Sequence, residues 1–340
     1  YLTLVRSPDY TWGPIPSVDS ITIRYTEDPM ASVTALENGE VNLISPQSSV
    51  DVLAALDLIE NVTYVAEDEG TYEHVDVIFD NGGPFDPAAY GGDEAKALAV
   101  RQAFLTCIPR QEIIDKLIIP LNPNAEIRQS YNVLPGAPNY DEVVAANGMA
   151  EAFGTGDPEA ARAILEAAGI DTSTPIDVRF LYAKSNVRRA NEYELIAASC
   201  GEAGFNVIDE GHEKWGSRLT QSETYDASLF GWQSTNTFAL NGEANFVTGG
   251  LNNFAGYSNA EVDRLWGEMW NAADLAEETE LLKQIETILV NDAFGTVLFQ
   301  FPGVTAYDDT LQNVSTIPLS PTIFWNFWEW ETTGSAEAVE

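Results

Sequence analysis

The sequence predicts an α/β fold in two regions, and three observations carry that reading. Residues 20–44 read as a strand–helix–strand unit, the kind that builds parallel sheets. Capped amphipathic helices alternate with short apolar strands along most of the remaining chain. A turn-rich stretch at 80–92, "DNGGPFDPAAYGG", separates two such runs and marks a boundary.

The elements follow in order. "SITIRY" alternates Ile21, Ile23 and Tyr25 as a strand. Asp28 as N-cap, Pro29 at the first helical position and Gly39 past the end delimit a helix. "VNLI" at 41–44 is the next strand, and 50–59 a shorter helix. Strands are expected around "VTYVAE" and "EHVDVIF". The helical run "DEAKALAVRQAFLTCIPRQEIIDKLI" is interrupted at Pro109, and an irregular span extends to about Phe153. "DPEAARAILEAAG" is capped by Asp157, started by Pro158 and stopped by Gly169. "IDVRFLYAKS" reads as a strand, "NVRRANEYELIAASCGEAG" as a helix and "FNVID" as the strand after it. Ser258 and Glu261 form a capping box before Val262, Leu265, Trp266 and Met269. "DLAEETELLKQIETILVND" is a second amphipathic helix feeding the strand "GTVLFQF". The aromatic stretch "TIFWNFWEW" reads as strand-like, and 333–340 as a frayed tail.

At 340 residues the chain is long enough for two domains. Lysine and arginine number 16 against 53 acids, a formal net charge of −37. That balance argues against nucleic acid or an anionic membrane as partner and favours a monomer whose surface repels its copies. It also suits a salty or cell-wall environment. No apolar run approaches the roughly 20 residues that span a bilayer. Cys107 and Cys200 each fall in a predicted helix; two buried free thiols and, in an exported protein, one disulfide are both open.

Catalytic patterns are absent from the sequence. No glycine-rich phosphate loop and no G-x-S-x-G elbow occurs. His74 lies inside an alternating strand and reads as structural; His212, in "DEGHEKWG", reads as surface. Two histidines and two cysteines give no zinc spacing, so neither metal nor cofactor is expected. Carboxylate pairs for glycoside hydrolysis are uninformative among so many acids. Binding chemistry is better supported. Trp232 at a strand end, followed by Gln233, Ser234, Thr235 and Asn236, offers an apolar wall with directional hydrogen bonds. The alternative places Trp232 in the core before an ordinary loop. Lys184, Arg188 and Arg189 offer positive charge to a ligand carboxylate, or form a solvated helix start balanced by Glu192.

"LTLVRSPDYTWGPIPSVDSITIRYTEDPMASVTALENGEVNLI", "AVRQAFLTCIPRQEIIDKLI", "EAARAILEAAGI", "LFGWQST" and "YSNAEVDRLWGEM" occur in an order that resembles the family 5 solute-binding proteins of ABC importers. That is the oligopeptide-, dipeptide- and nickel-binding class. Pro109 stands where that family usually has aspartate. The resemblance implies a periplasmic-binding-protein type II-like fold of two lobes, here as an N-terminally truncated fragment. Residues 1–75, with 303–332 returning, would belong to lobe one and 76–302 to lobe two.

The resemblance further implies a non-enzymatic receptor, extracellular as a cell-surface lipoprotein or periplasmic, that hands a small-molecule ligand to an ABC permease complex. Short peptides are the leading ligand class and oligosaccharides the alternative; a carboxylate-based hydrolase and a ligand sensor are the rivals from other classes. Nickel is disfavoured by the shortage of histidines. Besides Trp232–Asn236, the family pattern directs Ser45, Pro46, Gln47 and Phe301 to the ligand. In the oligopeptide binders an aspartate three positions after the tryptophan pairs with the peptide amine. Thr235 stands there, and the next acid is Glu243.

Overall fold

Asp28 accepts hydrogen bonds from the amides of Met30 and Ala31, and Pro29 opens the helix Pro29–Glu37 behind it. Gly39 then takes a left-handed φ of 69°, which a residue with a Cβ adopts only at a cost, and the helix stops. The same chemistry delimits Pro158–Ala167, where Asp157 caps and Gly169 has φ 67°. The computed structural model describes residues 1–26, 28–234 and 242–333. The chain divides into two compact units, one of Tyr1–Gly70, Ile118–Asn124 and Phe301–Glu340, the other of Thr71–Leu117 and Ala125–Gln300.

In the first unit the strands Leu2–Val5 and Ser20–Ile23 form an antiparallel hairpin, with Arg6 and Asp19 paired at 2.6 Å at its loop end. Leu43–Ile44 pairs antiparallel with Ala306 and Tyr307. Two helices, Pro29–Glu37 and Val50–Leu56, cover the core: Val33, Leu36, Ile44, Val52, Leu56, Val304 and Ala306 are all buried together. The stretch "TIFWNFWEW", expected as a strand, instead forms two 3₁₀ turns, Thr322–Phe324 and Phe327–Glu329. Asn326 explains this, since its amide bonds Asn313 O at 2.8 Å and its own neighbour Glu329 at 3.0 Å, a local pattern that competes with a ladder.

The second unit is built on a mixed sheet. Phe205–Asp209 pairs parallel with Ile176–Tyr182, which pairs parallel with Ala227–Gln233. Ala227–Gln233 in turn pairs antiparallel with residues 71–77. The strand containing those residues runs unbroken from Val62 to Val77, where two strands were expected; Gly70 does not interrupt it. Helix Glu94–Cys107 packs on Pro158–Ala167 and Val187–Ala203, and Leu275–Asn291 packs on Tyr140–Asn147 and Ala260–Met269. Pro109 does end the first of these helices, and a π turn, Ile114–Ile118, follows the short helix Arg110–Ile113.

The cap of Ala260–Met269 lies one residue later than expected. Asn259 accepts from the amides of Glu261 and Val262, while the Ser258 hydroxyl pairs with that of Thr248 at 3.0 Å. Cys107 and Cys200 are fully buried and joined as a disulfide, with Cα atoms 5.0 Å apart.

Candidate functional site

The tryptophan strand Ala227–Gln233 begins on an anchored carboxylate. Asp226 accepts from Arg179 Nε at 2.9 Å and Nη2 at 2.7 Å, and from the Arg179 backbone amide at 2.9 Å. Asn81 adds a fourth donor at 3.1 Å. From there the side chains alternate, and Ala227 to Phe230 are buried. The antiparallel register sets Tyr72 opposite Trp232 and His74 opposite Phe230, so these four rings share one face.

Trp232 is half-buried. Its ring lies edge-on to Phe230 at 5.2 Å and nearly parallel to Phe254 at 6.1 Å and to His74 at 6.3 Å. These rings extend the buried cluster of Ile78, Leu181, Leu219, Tyr225 and Phe230. Part of the Trp232 ring is therefore packed on the core and part of it is open. Gln233 behind it is exposed and Ser234 half-buried. Thr235 and Asn236 lie outside the described residues.

His74 is only 3% exposed, with Nε2 3.3 Å from Asp76 Oδ2. That contact lacks hydrogen-bond geometry, and neither ring nitrogen has a hydrogen-bond partner among the described residues. Beyond this strand pair, a Cβ at Gly295 would sit 2.4 Å from the Val75 carbonyl oxygen, so only glycine permits the approach there.

On the opposite face of the same strand lies Glu73, paired in register with Gly231. Glu73 accepts from Arg188 Nη2 at 3.0 Å and from Arg189 Nη2 at 2.9 Å, with Arg189 Nε shared between both its oxygens at 3.1–3.2 Å. Arg188 Nε also donates to Glu192 Oε1 at 3.1 Å. The two arginines, expected either at a ligand or in solvent, are in fact buried and committed to these carboxylates. Burial pushes Glu73 up, but Arg189 and Arg188 outweigh it and hold the carboxyl below its ordinary value. Glu192 is pushed the other way, by burial first and by Glu73 next, to about 8. This cluster was not legible beforehand: an acid on the inner face of a strand has no sequence signature of its partner.

The other sequence candidates belong to the first unit. Ser45 and Gln47 are exposed and Pro46 half-buried. The loop is held by its neighbours, since Ser48 Oγ donates to Pro302 O at 2.6 Å and Ser49 caps the helix Val50–Leu56. Phe301 is half-buried and adjoins that same Pro302.

The buried glutamates do not suggest hydrolysis. Glu73 and Glu192 are tied to arginines, and Glu286 accepts from Ser130 Oγ at 2.6 Å, Asn132 N at 2.9 Å and Asn147 Nδ2 at 2.8 Å. Among the described residues no group of three metal-ligating side chains occurs, and no helix is long and apolar enough to cross a membrane.

The comparisons with known proteins agree with this architecture. Residues 1–253 match the family model of bacterial extracellular solute-binding proteins, family 5, middle region. An uncharacterized lipoprotein of Mycobacterium tuberculosis is 28% identical over 238 residues, covering 68% of this chain and 40% of the relative. A Brucella ovis protein named for ABC-transporter peptide binding is 29% identical over 238 residues, covering 68% and 37%. The chain thus spans about 40% of the length of the curated relatives it matches.

Among solved structures, the periplasmic EDTA-binding protein EppA superposes with a TM-score of 0.84 at 21% identity, over 98% of this chain and 62% of that one. The oligopeptide-binding protein AppA of Bacillus subtilis, solved with a nonapeptide, gives 0.71 at 19% identity, over 94% and 62%. The fold is the type II periplasmic-binding-protein fold, and the chain belongs to family 5 of the bacterial extracellular solute-binding proteins.

Proposed function

We propose that this chain is the solute-recognising part of a receptor that captures short peptides outside the cytoplasmic membrane and passes them to an ABC permease. Its two compact units correspond, in this reading, to the two lobes of such receptors. The observation that carries the ligand assignment is Trp232: a half-open indole at a strand end, braced from behind by Phe230, His74 and Phe254. Such a wall holds an apolar side chain or the flat backbone of an extended peptide, while Gln233 and Ser234 supply hydrogen bonds beside it. Ser45, Pro46, Gln47, Phe301, Thr235 and Asn236 are proposed as further ligand contacts. The peptide-binding names of the Brucella relative and the Bacillus structure support the class. The lipoprotein name of the mycobacterial relative supports anchoring at the outer face of the membrane.

Thermal-shift titration of this chain, and of a longer polypeptide containing it, tests the reading. Ligand that binds the native state raises the melting temperature by mass action. Short peptides should shift it and Trp232→Ala should abolish the shift. A response to oligosaccharides alone would replace the peptide assignment by a carbohydrate platform. Turnover of peptide or glycan during the incubation would replace the receptor by a hydrolase.

A further inference from the structure

The four-residue cluster behind the tryptophan strand is unequal. Glu73 accepts from Arg189 on both of its oxygens and from Arg188 on Oε2, whereas Glu192 receives one donor on Oε1. Glu192 Oε2 is buried with no hydrogen-bond partner among the described residues. Both carboxylates are wholly shielded from solvent, and the arginines are nearly so. A carboxylate oxygen that carries charge without a donor is the costly arrangement in such surroundings; a proton on that oxygen removes the charge.

We propose that Glu192 holds a proton at neutral pH, so that the cluster is a buried proton-linked latch between helix Val187–Ala203 and strand Val62–Val77. The latch in its protonated form has Glu73 as the one anion shared by Arg188 and Arg189. Loss of the proton places a second negative charge beside Glu73 without any new donor to receive it. The groups that face Glu192 are Arg188 and Arg189 on its own helix and Glu73 on the strand; His74, next along that strand, acts on Glu73. The upward displacement of Glu192 to about 8 agrees with the geometry. Because Glu73 is in register with Gly231, the residue before Trp232, the latch underlies the strand that carries the candidate ligand wall.

The sign of the linkage follows. Glu192 binds its proton more tightly folded than unfolded, so its contribution to stability is complete below the ordinary glutamate value near pH 4.5 and is lost as pH rises through about 8.

Glu192→Gln imitates the protonated acid and supplies the test. The melting temperatures of the native protein and the variant should agree near about pH 4, diverge progressively from there to about pH 8, and differ by a constant several degrees near about pH 9, with the variant higher. An infrared band of a protonated carboxyl should be present in the native protein near neutral pH and missing from the variant. A variant that is less stable by the same amount at every pH would mean that ionised Glu192 pairs with Arg188, and would overturn the proposal. So would native protein and variant showing the same infrared spectrum in that region. Should Glu192→Gln fail to fold, carboxyl-carbon NMR of the native protein gives the same decision: a titration near pH 8 supports the latch, and one in the ordinary glutamate range sinks it.

Discussion

Arg179 and Asp226 meet as a fork, Nε to Oδ2 at 2.9 Å and Nη2 to Oδ1 at 2.7 Å, at the foot of the strand that ends in Trp232. The two partners are not equally buried: the Asp226 side chain is 3% exposed and that of Arg179 33%. Removing the arginine strands a buried carboxylate, whereas removing the charge of the aspartate leaves an arginine that water still reaches. Arg179→Met should therefore cost about 3–5 kcal/mol and Asp226→Asn about 2–3 kcal/mol. Urea unfolding of both variants measures the difference, and equal costs would show that the asymmetry of burial is irrelevant.

Glu286 gathers donors from a loop and a helix end, namely Ser130, Asn132 and Asn147. Glu286→Ala leaves them facing an apolar void and should cost about 3–5 kcal/mol, while Glu286→Gln keeps one acceptor and should cost about 1–2 kcal/mol. Burial raises the Glu286 carboxyl against the pull of those donors. Its linked stability is therefore complete below the ordinary glutamate range and declines as pH rises through the folded-state value. The glutamine variant should show a shallower fall in melting temperature with rising pH; an unchanged slope would contradict the direction.

The Cys107–Cys200 bond closes a loop of sequence separation 93. Chain-entropy arguments assign about 4–5 kcal/mol to a loop of that length. The double variant Cys107→Ala/Cys200→Ala should unfold at correspondingly lower denaturant. A mass unchanged by alkylation in denaturant without reductant confirms the bond directly, and labelling of two thiols in that unfolded protein would refute it.

The net charge of −37 sets a further expectation. Carboxylates outnumber cations so heavily that most repel one another across the surface, and salt shortens the reach of that repulsion from about 10 Å at 0.1 M to about 3 Å at 1 M. Raising sodium chloride over that range should raise the melting temperature by several degrees. A flat response would mean the charges are already spaced beyond mutual influence.

Much of this architecture can be read from local chemistry. Asp28 with Pro29 and Asp157 with Pro158 delimit their helices because a cap and a proline act through hydrogen bonds a few residues long. The failures arise where distant partners decide. Ser258 and Asn259 are both competent caps, and Ser258 is diverted by Thr248, ten residues away. The aromatic run 322–330 has strand composition, but Asn326 turns it by bonding Asn313. At the candidate site, the position of Trp232 at a strand end is legible in the sequence. Its bracing by Phe254 and His74 is not, nor is the capture of Arg188 and Arg189 by Glu73, because each depends on strand register and helix docking.

Both sulfurs of the disulfide are wholly shielded within the packed helices Glu94–Cys107 and Val187–Ala203. Oxidants and reductants in solution must therefore reach them before the helices close or when they open again. The bond then serves as a record of where the polypeptide matured. Molecules that fold in an oxidising compartment carry it inward and keep it afterwards. Molecules that fold among reducing agents seal in two thiols that later air does not readily convert. Two batches of identical sequence, produced inside and outside a cell, would thus differ by two hydrogen atoms and retain that difference through purification.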